Sequence, residues 1–134
     1  MSGETDLKTL LKSMNPIRND GDYVFCTLNE DPFIDQKDLI MSFREAEGTT
    51  TIVRKEVADN LNLNYDTIFN WITLMVHSSL EAVGLTATFS TALAEKGISC
   101  NIVSGYYHDH IFIRKEDCEK AMEVLTRLSG VIEL

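Results

Sequence analysis

Three histidines and one carboxylate stand out as groups able to do chemistry: His77 and the run His108-Asp109-His110. Imidazole and carboxylate together suit zinc or iron. Alternate side chains of a strand point to opposite faces, however, so His108 and His110 share a side that Asp109 does not. The pattern argues for hydrogen-bonded histidines rather than a three-ligand metal centre. Ser78 and Ser79 set a nucleophile type beside His77, but adjacency in sequence is not triad geometry and no nucleophile elbow is present. The sequence therefore predicts no catalytic residue, no metal and no cofactor. Asp109 and Glu81 offer a different chemistry, because a partly desolvated carboxylate attracts an ammonium or a basic side chain far more strongly than it does in water. Against that stand an Asp capping its own turn and a Glu on a solvated helix start. Gly84 precedes a helix whose first N–H groups can take a ligand carboxylate. Taken alone, the residue favours a glycine kept for its turn.

Alternation and helical spacing place these residues. Ile72, Leu74 and Val76 alternate with Thr73, Met75 and His77, which reads as a strand beginning near Phe69 or Asn70 and breaking at residues 77–85. A helix follows, with Leu85, Phe89 and Leu93 in steps of four and Gly97 at its C-terminal cap. Ile98, Cys100 and Ile102 predict a strand, the hairpin Gly105-Tyr106-Tyr107-His108 turns it, and Ile111 and Ile113 continue the pattern. Cys118, Ala121, Leu125 and Leu128 make a second helical stripe ended by Gly130, and residues 131–134 read as an edge strand. Upstream, Leu7, Leu10, Leu11 and Met14 predict a leading helix closed by Pro16 and Gly21. A strand over residues 22–28, a hairpin joining 39–44 to 50–53, and a short helix over 55–61 complete the expectation.

The halves repeat. Thr51-Ile52-Val53-Arg54-Lys55-Glu56 and Ile111-Phe112-Ile113-Arg114-Lys115-Glu116 lie 60 residues apart, and the same offset lays strand 39–44 onto 99–104. The opening strands, near Tyr23 and Trp71, are only 48 residues apart, so the first unit is short by 12 residues, one helix's length. The predicted architecture is α+β: a ferredoxin-like sandwich of two tandem units, residues 1–68 with the leading helix and residues 69–134, the first lacking one helix. Units of this size bury little surface alone, which predicts pairing within the chain or a homodimer.

Composition narrows the partners. A net charge of −9 repels phosphate backbones and anionic lipid, so nucleic acid is not expected. Tyr106, Tyr107 and Phe112 accordingly read as a pocket wall or dimer contact rather than an RNA-stacking sheet. No apolar run approaches the ~20 residues that span a bilayer, and residues 1–12 lack a signal peptide's apolar core, so a cytoplasmic protein without membrane partners is expected. Cys26, Cys100 and Cys118 have neither disulfide nor zinc-knuckle spacing and are expected as small buried hydrophobes. Trp71 and Met75 are expected in the core.

Residues 76–87 and 101–112 resemble the ACT-domain family, specifically its small bacterial tandem members, and residues 23–27 and 43–50 resemble the N-terminal half of those proteins. The resemblance implies a regulatory, non-enzymatic protein binding a small metabolite, an amino acid first, at an interface between ACT units; the alternative is a ligand-free homo-oligomeric interaction module. It places Ser78, Ser79, Glu81, Val83, Gly84 and Leu85 on one wall of the site and Ser104, Gly105 and Asp109 on the other. Asp109 matches an acidic position that meets a ligand's positive group, while His108 and His110 depart from the pattern.

Overall fold

The computed structural model describes residues 7–29, 34–76 and 84–130. In chain order the elements are α1 (Leu7–Ser13), β1 (Ile17–Arg18), β2 (Tyr23–Leu28), β3 (Leu39–Arg44), β4 (Thr49–Arg54), α2 (Lys55–Asn60), β5 (Phe69–Leu74), α3 (Leu85–Glu95), β6 (Cys100–Ser104), β7 (Asp109–Arg114) and α4 (Cys118–Leu128). Single 3-10 turns lie at Gln36–Asp38 and Lys115–Asp117. The fold is the expected α+β, ferredoxin-like arrangement in two units. The edge strand expected at residues 131–134 lies outside the described residues.

One compact unit runs from Asp20 to Asn70. Its strands are antiparallel in the order β3-β4-β2, with β2 in register from Tyr23↔Arg54 to Leu28↔Thr49. Apolar alternation makes this sheet one-sided: Val24, Cys26 and Val53 pack with Ile34 and with Ala58 of α2. Between β2 and β3 the described residues hold a 3-10 turn but no α-helix, as the short spacing predicts. The core is closed instead by the segment after α2, which contributes Leu61, Leu63, Tyr65 and Ile68. Asn62 turns that segment with φ +56°, a left-handed conformation that Asn tolerates better than most residues.

The other unit comprises the described residues up to Asn19 and those from Trp71 onward. Its sheet runs β5-β7-β6, with β1 pairing β5 through Ile17↔Thr73 and Arg18↔Ile72. Ile72 and Leu74 of β5 and Ile111 and Ile113 of β7 face a core closed by Leu85, Phe89 and Leu93 of α3 and by Cys118, Ala121 and Leu125 of α4. Leu10 of α1 and the following Met14 belong to the same core, and the Met14 carbonyl accepts from Met75 N at 2.7 Å. The leading helix, expected with residues 1–68, thus packs in the second unit, where Leu10 and the following Met14 share a core with Ile72, Leu74 and Leu85. Met75, expected in the core, is 39% exposed.

The repeat survives in atomic detail. β4 and β7 begin and end at positions 60 apart, and both hairpins close with the same bond: Glu45 N donates to Gly48 O and Gly105 N to His108 O, each at 2.9 Å. Among the described residues no helix is long and apolar enough to cross a membrane.

Candidate functional site

The second unit's hairpin and the start of α3 carry every predicted site residue that the structure describes. Ser78, Ser79, Glu81 and Val83, with His77, lie outside the described residues. Gly84 caps α3 at φ +101°, and its carbonyl accepts the first helical bond from Thr88 N at 2.8 Å. A Cβ there would meet only Leu7 Cδ2, at 3.7 Å, which is ordinary contact. The backbone conformation, not crowding, is what requires glycine at this position. Leu85 is 2% exposed inside the core, so only its backbone is available to a ligand.

Across the unit, Ser104 and Asp109 are register partners that close the β6–β7 hairpin. Asp109 is 8% exposed and shares the strand parity of Ile111 and Ile113, so it points toward the helical side of the sheet. Ser104 and Gly105 are exposed. Trp71 stacks on Phe112 and Thr73 meets His110, so β5 and β7 run antiparallel and the end of β5 lies beside the start of β7. Leu85, the first residue of α3, shares a core with Leu74 and Val76. Of the two predicted walls the structure describes Gly84 and the α3 N-terminus on one, and Ser104, Gly105 and Asp109 on the other.

The histidines face the opposite way. His110 Nδ1 lies 3.1 Å from the indole Nε1 of Trp71 and 3.1 Å from Thr73 Oγ1, and Asn19 Nδ2 donates to that same hydroxyl at 3.0 Å. Burial, then the neighbouring His108, push the His110 pKa below the ordinary histidine value, while Asp109 opposes them. Among the described residues His108 Nδ1 is buried without a hydrogen-bond partner. No three His, Cys, Asp or Glu side chains of the described residues come together to hold a metal. Tyr106 and Tyr107 stand out at the hairpin tip, 85% and 70% exposed, edge to face with centroids 5.0 Å apart, whereas Phe112 is buried. The cysteines are free; Cys26 and Cys118 are buried, and burial raises all three thiol pKa values.

A cleft of about 320 Å³ in the first unit was not foreseen as a feature, although its signal, the repeated Arg-Lys-Glu, was. It is lined by Gly21, Asp22, Arg54, Lys55, Glu56 and Asp59. Arg54 donates to Asp20 O at 3.3 Å and covers the Tyr23 ring. Lys55 pairs with Asp59 at 2.8 Å, and hydrogen bonds from Lys55 and Tyr65 hold the Asp59 carboxyl below its usual range. Arg54 and Lys55, the first two residues of the tripeptide, thus have partners within the unit.

An ACT-domain family model matches residues 2–70 and a second matches residues 67–127. A solved structure from Vibrio cholerae, described as a protein of unknown function and possible transport protein, is 46% identical, with 92% of this chain and 95% of that one covered at a TM-score of 0.80. An Agrobacterium tumefaciens protein superposes at a TM-score of 0.66 with 17% identity over 81% of this chain and 84% of its own. The regulatory subunit of aspartate kinase from Thermus thermophilus, in a ligand-free form, shares the fold at a TM-score of 0.55 and 14% identity, over 91% and 99% of the two chains. Among curated proteins none matches.

Proposed function

Since this chain belongs to the ACT-domain family in both of its halves, we propose that it is a non-enzymatic regulatory protein that binds a small metabolite, an amino acid in the first instance, at the β5/β7 end of its second unit. The observation that carries the reading is Asp109: an acidic side chain 8% exposed, at a strand end, paired in register with Ser104 and sharing the strand parity of core-facing Ile111 and Ile113. A carboxylate in that position offers a strong, poorly screened partner to an α-ammonium or a basic side chain. The N–H groups of the first turn of α3 complement it by offering partial positive charge to an α-carboxylate. A zwitterion matches both ends. The Thermus thermophilus neighbour, itself named a regulatory subunit, supports the general role, and at its low identity it supports nothing finer.

In this reading a second ACT unit completes the site, the protein works in the cytoplasm as a homodimer, and the ligand acts by favouring one conformation or assembly over another. Exposed Tyr106 and Tyr107 favour a second reading, an interaction module whose hairpin tip is a contact between copies without any ligand. Thermal unfolding across the twenty amino acids, nucleotides and divalent metals separates the two. An amino acid at one hundred times its dissociation constant adds about 2.7 kcal/mol of stability. No shift from any amino acid at millimolar concentration, with a dimer present throughout, supports the interaction module instead.

A further inference from the structure

The polar cluster on the side of the second unit's sheet away from the helices is independent of the ligand reading. Asn19, Trp71, Thr73 and His110 form one connected set, in which Asn19 is anchored twice more: its backbone N donates to Trp71 O at 2.8 Å and its Nδ2 reaches the same carbonyl at 3.2 Å. An indole N–H can only donate. At 3.1 Å from Trp71 Nε1, His110 Nδ1 must therefore accept, which requires the neutral ring with its proton on Nε2. That nitrogen is turned toward the hairpin, 3.3 Å from the place a Gly105 Cβ would take. Protonation of the ring puts a hydrogen on Nδ1 and sets two donors against each other. The Thr73 hydroxyl, also 3.1 Å from Nδ1, has lone pairs and can accept that hydrogen. The ring thus has two satisfied arrangements: neutral, accepting from Trp71, and charged, donating to Thr73.

We propose that His110 is a proton-operated switch, which holds the Trp71 indole when neutral and exchanges that bond for one to Thr73 when protonated, releasing the indole and loosening the sheet beside the Gly105 hairpin. Among the described residues the charged and titratable groups around it are few. Asp109 lies on its own strand and His108 just before it; β5 presents Trp71 and Thr73, β1 is followed by Asn19, and β6 pairs Val103 with it, none of them charged. Arg18 pairs with Ile72 and acts electrostatically on Cys118, on the helical side. Among the described residues His108 is thus the one further imidazole that opposes a charge on His110.

Trp71 is the single tryptophan of the chain, so its fluorescence reads the switch directly. A pH titration of the intact protein is expected to give one reversible transition, quenched on the acid side, with a midpoint below the ordinary histidine value of about 6.5. His110→Gln, whose amide oxygen still accepts from the indole, abolishes the transition with the fold retained, and His108→Gln moves the midpoint upward. Nitrogen NMR of the unsubstituted protein at pH 8 is expected to show His110 protonated at Nε2. A neutral ring protonated at Nδ1, a midpoint at or above 6.5, or a transition that persists in a folded His110→Gln variant overturns the proposal; the NMR result decides even where the variant does not fold.

Discussion

The hairpins Leu39–Arg54 and Cys100–Arg114 share one backbone plan and differ in what occupies it. Both close with an N–H to carbonyl bond at the same position, and both feed a strand of six residues whose apolar positions are buried. In the first, Glu45 accepts from the Thr50 hydroxyl and the tip carries exposed Ala46 and Glu47. In the second, the residue equivalent to Glu45 is Gly105 and the one equivalent to Thr50 is His110, with the imidazole Nε2 3.3 Å from where a Cβ at 105 would sit. Thr49 is likewise replaced by buried Asp109. The differences at equivalent positions separate a self-contained polar turn from one that holds an imidazole and a carboxylate. A duplicated frame kept its ladder and changed its chemistry only where the two strands meet the turn.

The helices differ in the same direction. Among the described residues the first unit has no α-helix between β2 and β3 and closes its core with Leu61, Leu63, Tyr65 and Ile68, while the second gains α1. Met14→Ala tests that gain and has the largest expected effect, a loss of about 2–5 kcal/mol in denaturant unfolding, because a side chain with no exposure leaves a cavity. Phe43→Ala on β3, where the ring is 62% exposed, changes stability by about 0.5 kcal/mol or less. Equal effects would dissolve the distinction between core and edge. Gly105→Ala places a Cβ 3.1 Å from His108 O and costs about 1–3 kcal/mol with a shift in Trp71 emission, whereas Glu45→Ala at the equivalent position leaves that emission unchanged. Gly84→Ala, strained at φ +101° but not crowded, costs about 1 kcal/mol. The smallest effect is a pH dependence. The folded state holds the His110 pKa below its unfolded value, so between those values the unfolded chain binds more protons and stability falls as pH drops from neutrality into the acid range. Denaturation midpoints at pH 7.5 and 5.5 are expected to differ less in His110→Gln than in the parent.

Strand alternation, the i/i+4 stripes and the offset of 60 residues made the elements, the duplication and the absent helix legible in the sequence. Those signals are local or periodic, and burial selects directly for them. The home of α1 was not legible, because an apolar stripe says that a helix packs and not against which sheet. Strand parity separated Asp109 from His108 and His110 before any coordinates, since a period of two fixes the facing of neighbours. The partners of His110 were hidden: Trp71 and Asn19 lie 39 and 91 residues away in sequence, and only the strand pairing brings them together. Met75 shows the converse error, an apolar residue assigned to the core from its type although its parity already placed it with Thr73.

The most direct test is calorimetric titration of the amino acid that gives the largest thermal shift into the parent protein, Asp109→Ala and Thr49→Ala, the matching position of the first unit. Asp109→Ala is expected to weaken binding about tenfold or more, equivalent to about 1.4 kcal/mol, while Thr49→Ala binds as the parent does. Parental affinity in a folded Asp109→Ala variant would contradict the placement of the site at the second hairpin.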